Sequence, residues 1–218
     1  MRYPCLVLDH DETVVQTEKT IGYPFFCEIL QTFRPGASIS LSDYVTDCHT
    51  IGFVDMCRKH FAFTDEEQQA EHLAWMEYIR THIPDIYPGI DQIIRKQKAA
   101  GGLICVVSHS NEENILRDYA AHFGIKPDAI FGFDLPHHQR KPNPYPLETI
   151  MEQFGLTQKD ILVLDDSKLG YDMAQPLGIA VAFSAWGKAD FPLLSDKMRK
   201  ICKYTFDSTK DLENFLFD

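Results

Sequence analysis

Asp9 and Asp11 stand one residue apart at the end of an apolar run, Cys5-Leu6-Val7-Leu8. A short apolar run closed by turn residues reads as a buried strand of a parallel sheet. In such sheets ligands bind beyond the carboxyl ends of the strands, so both acids stand where chemistry occurs. Two carboxylates at one strand end repel each other, and a hard divalent cation with oxygen ligands relieves that repulsion. Asp-X-Asp is also a common strand-ending turn, so the pair alone leaves both readings open.

Three further polar stations follow in order. The run Leu103-Ile104-Cys105-Val106-Val107 ends at Ser108-His109-Ser110, Lys141 lies in the proline-stiffened stretch Lys141-Pro142-Asn143-Pro144, and Ile161-Leu162-Val163-Leu164 ends at Asp165-Asp166-Ser167. Taken singly, Ser108 reads as a helix N-cap and Lys141 as a surface lysine. Two acids directly after four apolar residues are costly to bury without a partner. His137-His138 is not read as a metal site, since adjacent side chains in a loop rarely share one ion.

The elements that must position these groups are legible from periodicity. From about Val14 to about Pro84 no strand pattern occurs. Phe25, Phe26, Ile29, Leu30 and Phe33 recur at helical spacing until Arg34-Pro35-Gly36 breaks the helix. Thr64-Asp65-Glu66-Glu67 has the form of a capping box, with Ala70, Leu73, Ala74 and Ile79 expected on one buried helical face. This stretch is a helical insertion between the first and second strands. Beyond Pro88 the pattern alternates. Helices are expected over Ile90–Ala100, Asn111–Phe123, Tyr145–Phe154 and Asp211–Phe217, and strands over Ile130–Phe133, Ile161–Leu164, Ala180–Phe183 and Tyr204–Phe206. Strands alternating with helices make a parallel sheet covered on both faces, a Rossmann-like α/β fold.

The 218 residues suffice for one domain carrying a modest insertion, and the apolar share of 44% is ordinary for a globular chain with a real core. The formal charge of −11 argues against nucleic acid as a partner. A local cation and one lysine can still reverse the field for a phosphorylated ligand. The six cysteines include no Cys-x-x-Cys pair, and Cys5 and Cys105 sit inside apolar strands as small hydrophobes. Neither a leader pattern nor an apolar run of membrane-spanning length is read. The expectation is a cytoplasmic protein with no membrane partner, monomeric or weakly dimeric.

The four stations, in this order, resemble the haloacid dehalogenase superfamily of phosphotransferases, and the resemblance covers nearly the whole chain. The stretch DETVVQTE from Asp11 to Glu18 is similar to the superfamily's DGTLVDSE-type lead-in. Tyr87-Pro88-Gly89-Ile90 resembles the return from its cap domain, and Ala185-Trp186-Gly187 a late loop of the phosphoglycolate-phosphatase and β-phosphoglucomutase-like branch. The resemblance implies a core of residues 1–14 and 85–218 and a helical cap of 15–84. The cap would cover the site, hinging near Val14–Gln16 and Pro84–Gly89.

It also implies roles. Asp9 would be the nucleophile and Asp11 the general acid and base. Asp9, Asp166, the Asp11 backbone carbonyl and, directly or indirectly, Asp165 would hold Mg²⁺. Ser108 and Lys141 would bind the phosphoryl group. Thr13, His109, His49, Thr50 and Arg58 are candidates for contacting the substrate. His10, Glu12, Gln16 and His109 depart from the superfamily pattern without removing any catalytic group. The expected function is Mg²⁺-dependent hydrolysis of a small phosphorylated metabolite. The alternatives are a sugar-phosphate mutase using the same chemistry and a non-hydrolytic phospho-accepting or binding module.

Overall fold

The computed structural model describes residues 1–218, the Leu193 side chain apart. The chain opens with β1 (Cys5–Leu8) and then leaves the sheet for a helical stretch. A π-helical turn, Glu18–Gly22, leads into α1 (Tyr23–Phe33), followed by α2 (Leu41–Thr50), α3 (Phe53–Phe61) and α4 (Asp65–Thr81). Alternation then begins with α5 (Ile90–Ala99), β2 (Leu103–Val107), α6 (Glu112–Phe123) and β3 (Ala129–Phe131). It continues with α7 (Tyr145–Phe154), β4 (Ile161–Asp165), α8 (Lys168–Ala174) and β5 (Ala180–Ser184). The last elements are α9 (Pro192–Ile201), β6 (Tyr204–Phe206) and α10 (Thr209–Phe217). The chain divides into two units: Met1–Val15 with Ile86–Asp218, and Gln16–Asp85.

In the first unit the six strands are all parallel, in the order β3-β2-β1-β4-β5-β6. Successive residues of a strand face opposite sides, and both sides are apolar here. Leu6, Leu8, Ile104, Val106, Leu162 and Leu164 pack with Ile93 of α5, Tyr119 of α6 and Leu212 of α10. Cys5, Val7, Cys105, Val107 and Val163 pack with Ile150 of α7 and Met173 of α8. Two buried faces explain why these strands read as unbroken apolar runs. The strand order reverses at β1, the topological switch point at which open α/β sheets bind ligands. The third strand lies slightly earlier than its sequence pattern indicated: Phe133 is exposed, and β3 closes at Phe131. No helix among the described residues is long and apolar enough to cross a membrane.

The second unit is all helical. Phe26 lies at its centre, with Phe53 edge-on at 5.6 Å and Phe61 at 5.8 Å between ring centroids. The Thr64 hydroxyl accepts from the Glu67 amide at 3.2 Å, and the Glu67 carboxylate accepts from the Thr64 amide at 2.9 Å, which completes the capping box. Arg34 donates to both oxygens of Glu67 at 2.8 Å, tying the end of α1 to the start of α4. The face of α4 differs from the expected one. Leu73 is 63% exposed and Ala70 is exposed, whereas Glu71 is buried. Trp75 and Tyr78 set this rotation by packing on Phe25 at 5.4 and 4.9 Å. Two large rings against a third outweigh two smaller aliphatic side chains.

Candidate active site

Strand register brings the acids together. Leu8 pairs with Leu164, so Asp9, the next residue on β1, stands level with Asp165 at the end of β4. Asp9, Asp165 and Asp166 are all buried, and each offers an oxygen within 4.8 Å of the others. Lys141 extends between them from the loop before α7. Its Nζ lies 2.8 Å from Asp9 Oδ2 and 3.0 Å from Asp165 Oδ2, and the lysine is only 5% exposed. The second oxygen of Asp165 accepts from the Ser167 amide at 2.8 Å and the Ser167 hydroxyl at 2.7 Å. Gly170 makes room for this carboxylate: a Cβ there would meet Asp165 Oδ2 at 2.1 Å. Asp166 is paired with Lys188, Nζ to Oδ2 at 3.0 Å.

Burial, and then the Asp165 charge, push the Asp9 carboxyl well above the ordinary aspartate range, with Lys141 opposing them. Burial would lower the Lys141 ammonium, but Asp165 and Asp9 outweigh it and hold it above the usual lysine value. Lys141 is therefore held as an ammonium, and the three carboxyl groups meet two lysine side chains. The donors of the cluster are all hard carboxylate oxygens, the set that suits Mg²⁺, and the cluster is a group that could hold a metal ion.

The strand ends of β1 and β2 supply the rest. Asp11 Oδ2 accepts from the Ser110 hydroxyl at 2.6 Å and, more weakly, from the Ser108 hydroxyl at 3.4 Å. Ser108 does not cap α6, whose N-cap residue is Asn111; it is buried, and its oxygen also accepts from the Ser110 amide at 3.0 Å. His109 hydrogen-bonds the Lys141 carbonyl at 2.9 Å, and burial lowers its imidazole below the usual histidine value. His10 is turned into the core. Its Nε2 lies 3.0 Å from Asp118, while its amide donates to Asp9 Oδ1 at 2.7 Å. Glu12 occupies the left-handed region at φ 56°, where a side chain is strained. Its carboxylate accepts from the Tyr87 hydroxyl at 2.6 Å. Gly187 permits the approach of the loop after β5, since a Cβ there would meet the Glu12 carbonyl at 1.9 Å.

Asp9, Asp11, Ser108, His109, Lys141, Asp165 and Asp166 thus come together. One expected contact of the same unit, Thr13, does not join them. Thr13 is fully buried and shares a hydrogen bond with Ser184 at 2.8 Å, so its hydroxyl is spent on tying the loop after β1 to the end of β5. His49, Thr50 and Arg58 belong to the helical unit. His49 pairs with Glu18 at 2.5 Å, Thr50 donates to the Thr46 carbonyl at 2.7 Å, and Arg58 pairs with Asp65 at 2.6 Å. Two members of the cluster escaped sequence reasoning. Ser110 stands two residues past Ser108, and Lys188 follows the Ala185-Trp186-Gly187 loop. For Ser110 the available signal was a polar side chain just beyond an apolar strand; Lys188, set after a loop, carries no such mark.

Residues 6–184 match the family model of haloacid dehalogenase-like hydrolases, and the chain belongs to that family. No curated protein sequence matches it significantly. Among solved structures, a predicted phosphoglycolate phosphatase from Haemophilus somnus 129PT has a TM-score of 0.77 at 20% identity, covering 99% of this chain and 98% of its own. A subfamily IA, variant 1 hydrolase of the superfamily from Geobacter sulfurreducens PCA has a TM-score of 0.73 at 16% identity, covering 97% and 95%. A mutant of CbbY from Rhodobacter sphaeroides, in complex with xylulose-1,5-bisphosphate, has a TM-score of 0.67 at 17% identity, covering 96% of each chain. At these identities the likeness is one of fold.

Proposed function

We propose that this protein hydrolyses a small phosphomonoester metabolite through an aspartyl-phosphate on Asp9, with Mg²⁺ as cofactor. The observation that carries the reading is Lys141, buried between Asp9 and Asp165 at 2.8 and 3.0 Å. A lysine so placed fixes one carboxylate as a reacting group and keeps a positive charge where a phosphoryl group must sit. Bound at Asp9, Asp166 and the Asp11 carbonyl, with Asp165 close by, Mg²⁺ would neutralise charge on the phosphoryl oxygens.

The residues of the chain divide the remaining work. A carboxylate oxygen of Asp9 attacks phosphorus, and the bond to the leaving oxygen breaks. Asp11 gives that oxygen its proton, so the alcohol departs neutral. Asp11, now a carboxylate, takes a proton from water. The resulting attack on phosphorus breaks the bond to Asp9 and frees inorganic phosphate. Ser108 and Lys141 donate to phosphoryl oxygens in both steps. The Ser110 hydroxyl holds the Asp11 carboxyl in place before the first step. The six cysteines are all free thiols, as suits a reducing cytosol.

The test is a phosphate-release screen over a panel of phosphorylated metabolites, with Mg²⁺ and with EDTA. Turnover of at least one substrate is expected, dependent on Mg²⁺ and abolished in Asp9→Asn. More than a trace of turnover in a clean Asp9→Asn preparation, or full activity in EDTA, overturns the reading.

A further inference from the structure

The helical unit contains a cavity of about 320 Å³, formed entirely by its own residues. Its walls include the rings of Phe25, Tyr44, Phe53 and Trp75. Glu71 also lines it, nine-tenths buried, from the face of α4 that the packing of Trp75 and Tyr78 turns inward. Among the described residues Glu71 has neither a hydrogen bond nor an ion pair, unlike Glu67 one turn earlier, which is held by Arg34. Glu18, on the same wall, is already paired with His49. No lysine or arginine lines the space. The Glu71 side chain is mostly buried and its carboxylate has no protein partner among the described residues, so it opens unpaired on a void large enough for a small ligand.

We propose that this cavity is a binding site for a small organic ammonium compound, with Glu71 as its counter-ion and the aromatic walls as its cage. Ring faces attract cations through their quadrupoles, and a carboxylate supplies the net charge. The two together select an ammonium group over a neutral body of the same shape. Burial pushes the Glu71 carboxyl up to about 7, so its anion exists at a penalty that a bound cation would remove. The cavity is lined by residues of the helical unit alone, and the binding chemistry proposed for it does not rest on the hydrolytic reading.

Calorimetric titration of the full chain with choline and with its uncharged isostere 3,3-dimethyl-1-butanol tests this. Choline is expected to bind with a dissociation constant in the millimolar range or below, and the isostere at least about tenfold more weakly. Glu71→Gln, nearly the same in shape, should weaken choline about tenfold and leave the isostere unchanged. In the unmodified protein, the Trp75 indole N–H resonance should move on titration with choline, a measurement that stands even if the variant folds poorly. Equal affinity for the two compounds, absence of choline binding, or an unmoved Trp75 resonance would each overturn the proposal.

Discussion

Buried acids occur in both units of this molecule, and they are treated in opposite ways. At the sheet, Asp9, Asp165 and Asp166 each meet a buried ammonium group, from Lys141 or Lys188, and backbone amides complete Asp9 and Asp165. In the helical unit Glu71 is buried without a cation or a hydrogen bond among the described residues. The difference separates two strategies. The first cluster is organised in advance, its charges fixed before any ligand arrives. The second carries a carboxyl that burial raises and that no ion pair among the described residues offsets.

The largest expected effect lies in the sheet cluster. Lys141→Met removes the shared cation and leaves two carboxylates buried without it, which costs about 3–5 kcal/mol of stability and should reduce phosphate release to background. Urea unfolding and a release assay check both. If the variant keeps its stability, the carboxylates are not charged as the geometry implies. Gly170→Ala comes next. The added Cβ collides with Asp165 Oδ2 and pushes the carboxylate away from Lys141, so kcat should fall about 10²-fold through misplacement while the sheet persists. An unchanged kcat would show that Asp165 does not orient Lys141.

The two glutamates of α4 sharpen the comparison through pH. Burial raises Glu71 from 4.5 to about 7, so the folded state binds this proton more tightly than the unfolded chain does. Its contribution is fully present below pH 4.5 and lost as pH rises through 7. Glu71→Gln should remove that decline and stabilise the protein at pH 8, the penalty relieved being about 1–3 kcal/mol. Glu67 has the opposite sign. Arg34, then the Thr64 amide, lower it to about 2, so its contribution is present above pH 4.5 and lost as pH falls towards 2. Thermal midpoints of both variants should therefore diverge from the parent at high pH and in opposite directions, Glu67→Gln lower and Glu71→Gln higher, and should converge on it as the glutamates protonate at low pH. A shift of the same sign in both at high pH would refute the contrast. The smallest effect is that of Thr64→Ala, which removes one cap at about 1 kcal/mol and should leave phosphate release untouched.

Local signals carried much of this into the sequence. Strands buried on both faces leave unbroken apolar runs, and the polar residues just past them mark Asp9, Ser108 and Asp165. Lys141 was visible only as a residue type in a stiff loop, because its burial depends on the register of strands far apart in the chain. Lys188 was missed for the same reason: a lysine after a loop carries no mark of being 3% exposed. In α4 the aliphatic spacing favoured Ala70 and Leu73, but ring packing from another helix decided the rotation. That competition is tertiary, and a single helix does not encode it.

The position of β1 between β2 and β4 has a consequence for how the molecule is made. Asp9 leaves the ribosome early, whereas Lys141, Asp165 and Lys188 follow much later; at ordinary translation rates the interval to Lys188 is on the order of 10 s. The helical unit, one continuous segment from Gln16 to Asp85, can collapse during that wait. The central strand cannot: both its neighbours and every cation that offsets its acid are still unmade. The nascent chain therefore carries β1 unpaired until β2 has been made, and the acid at its end without a cation until Lys141 follows.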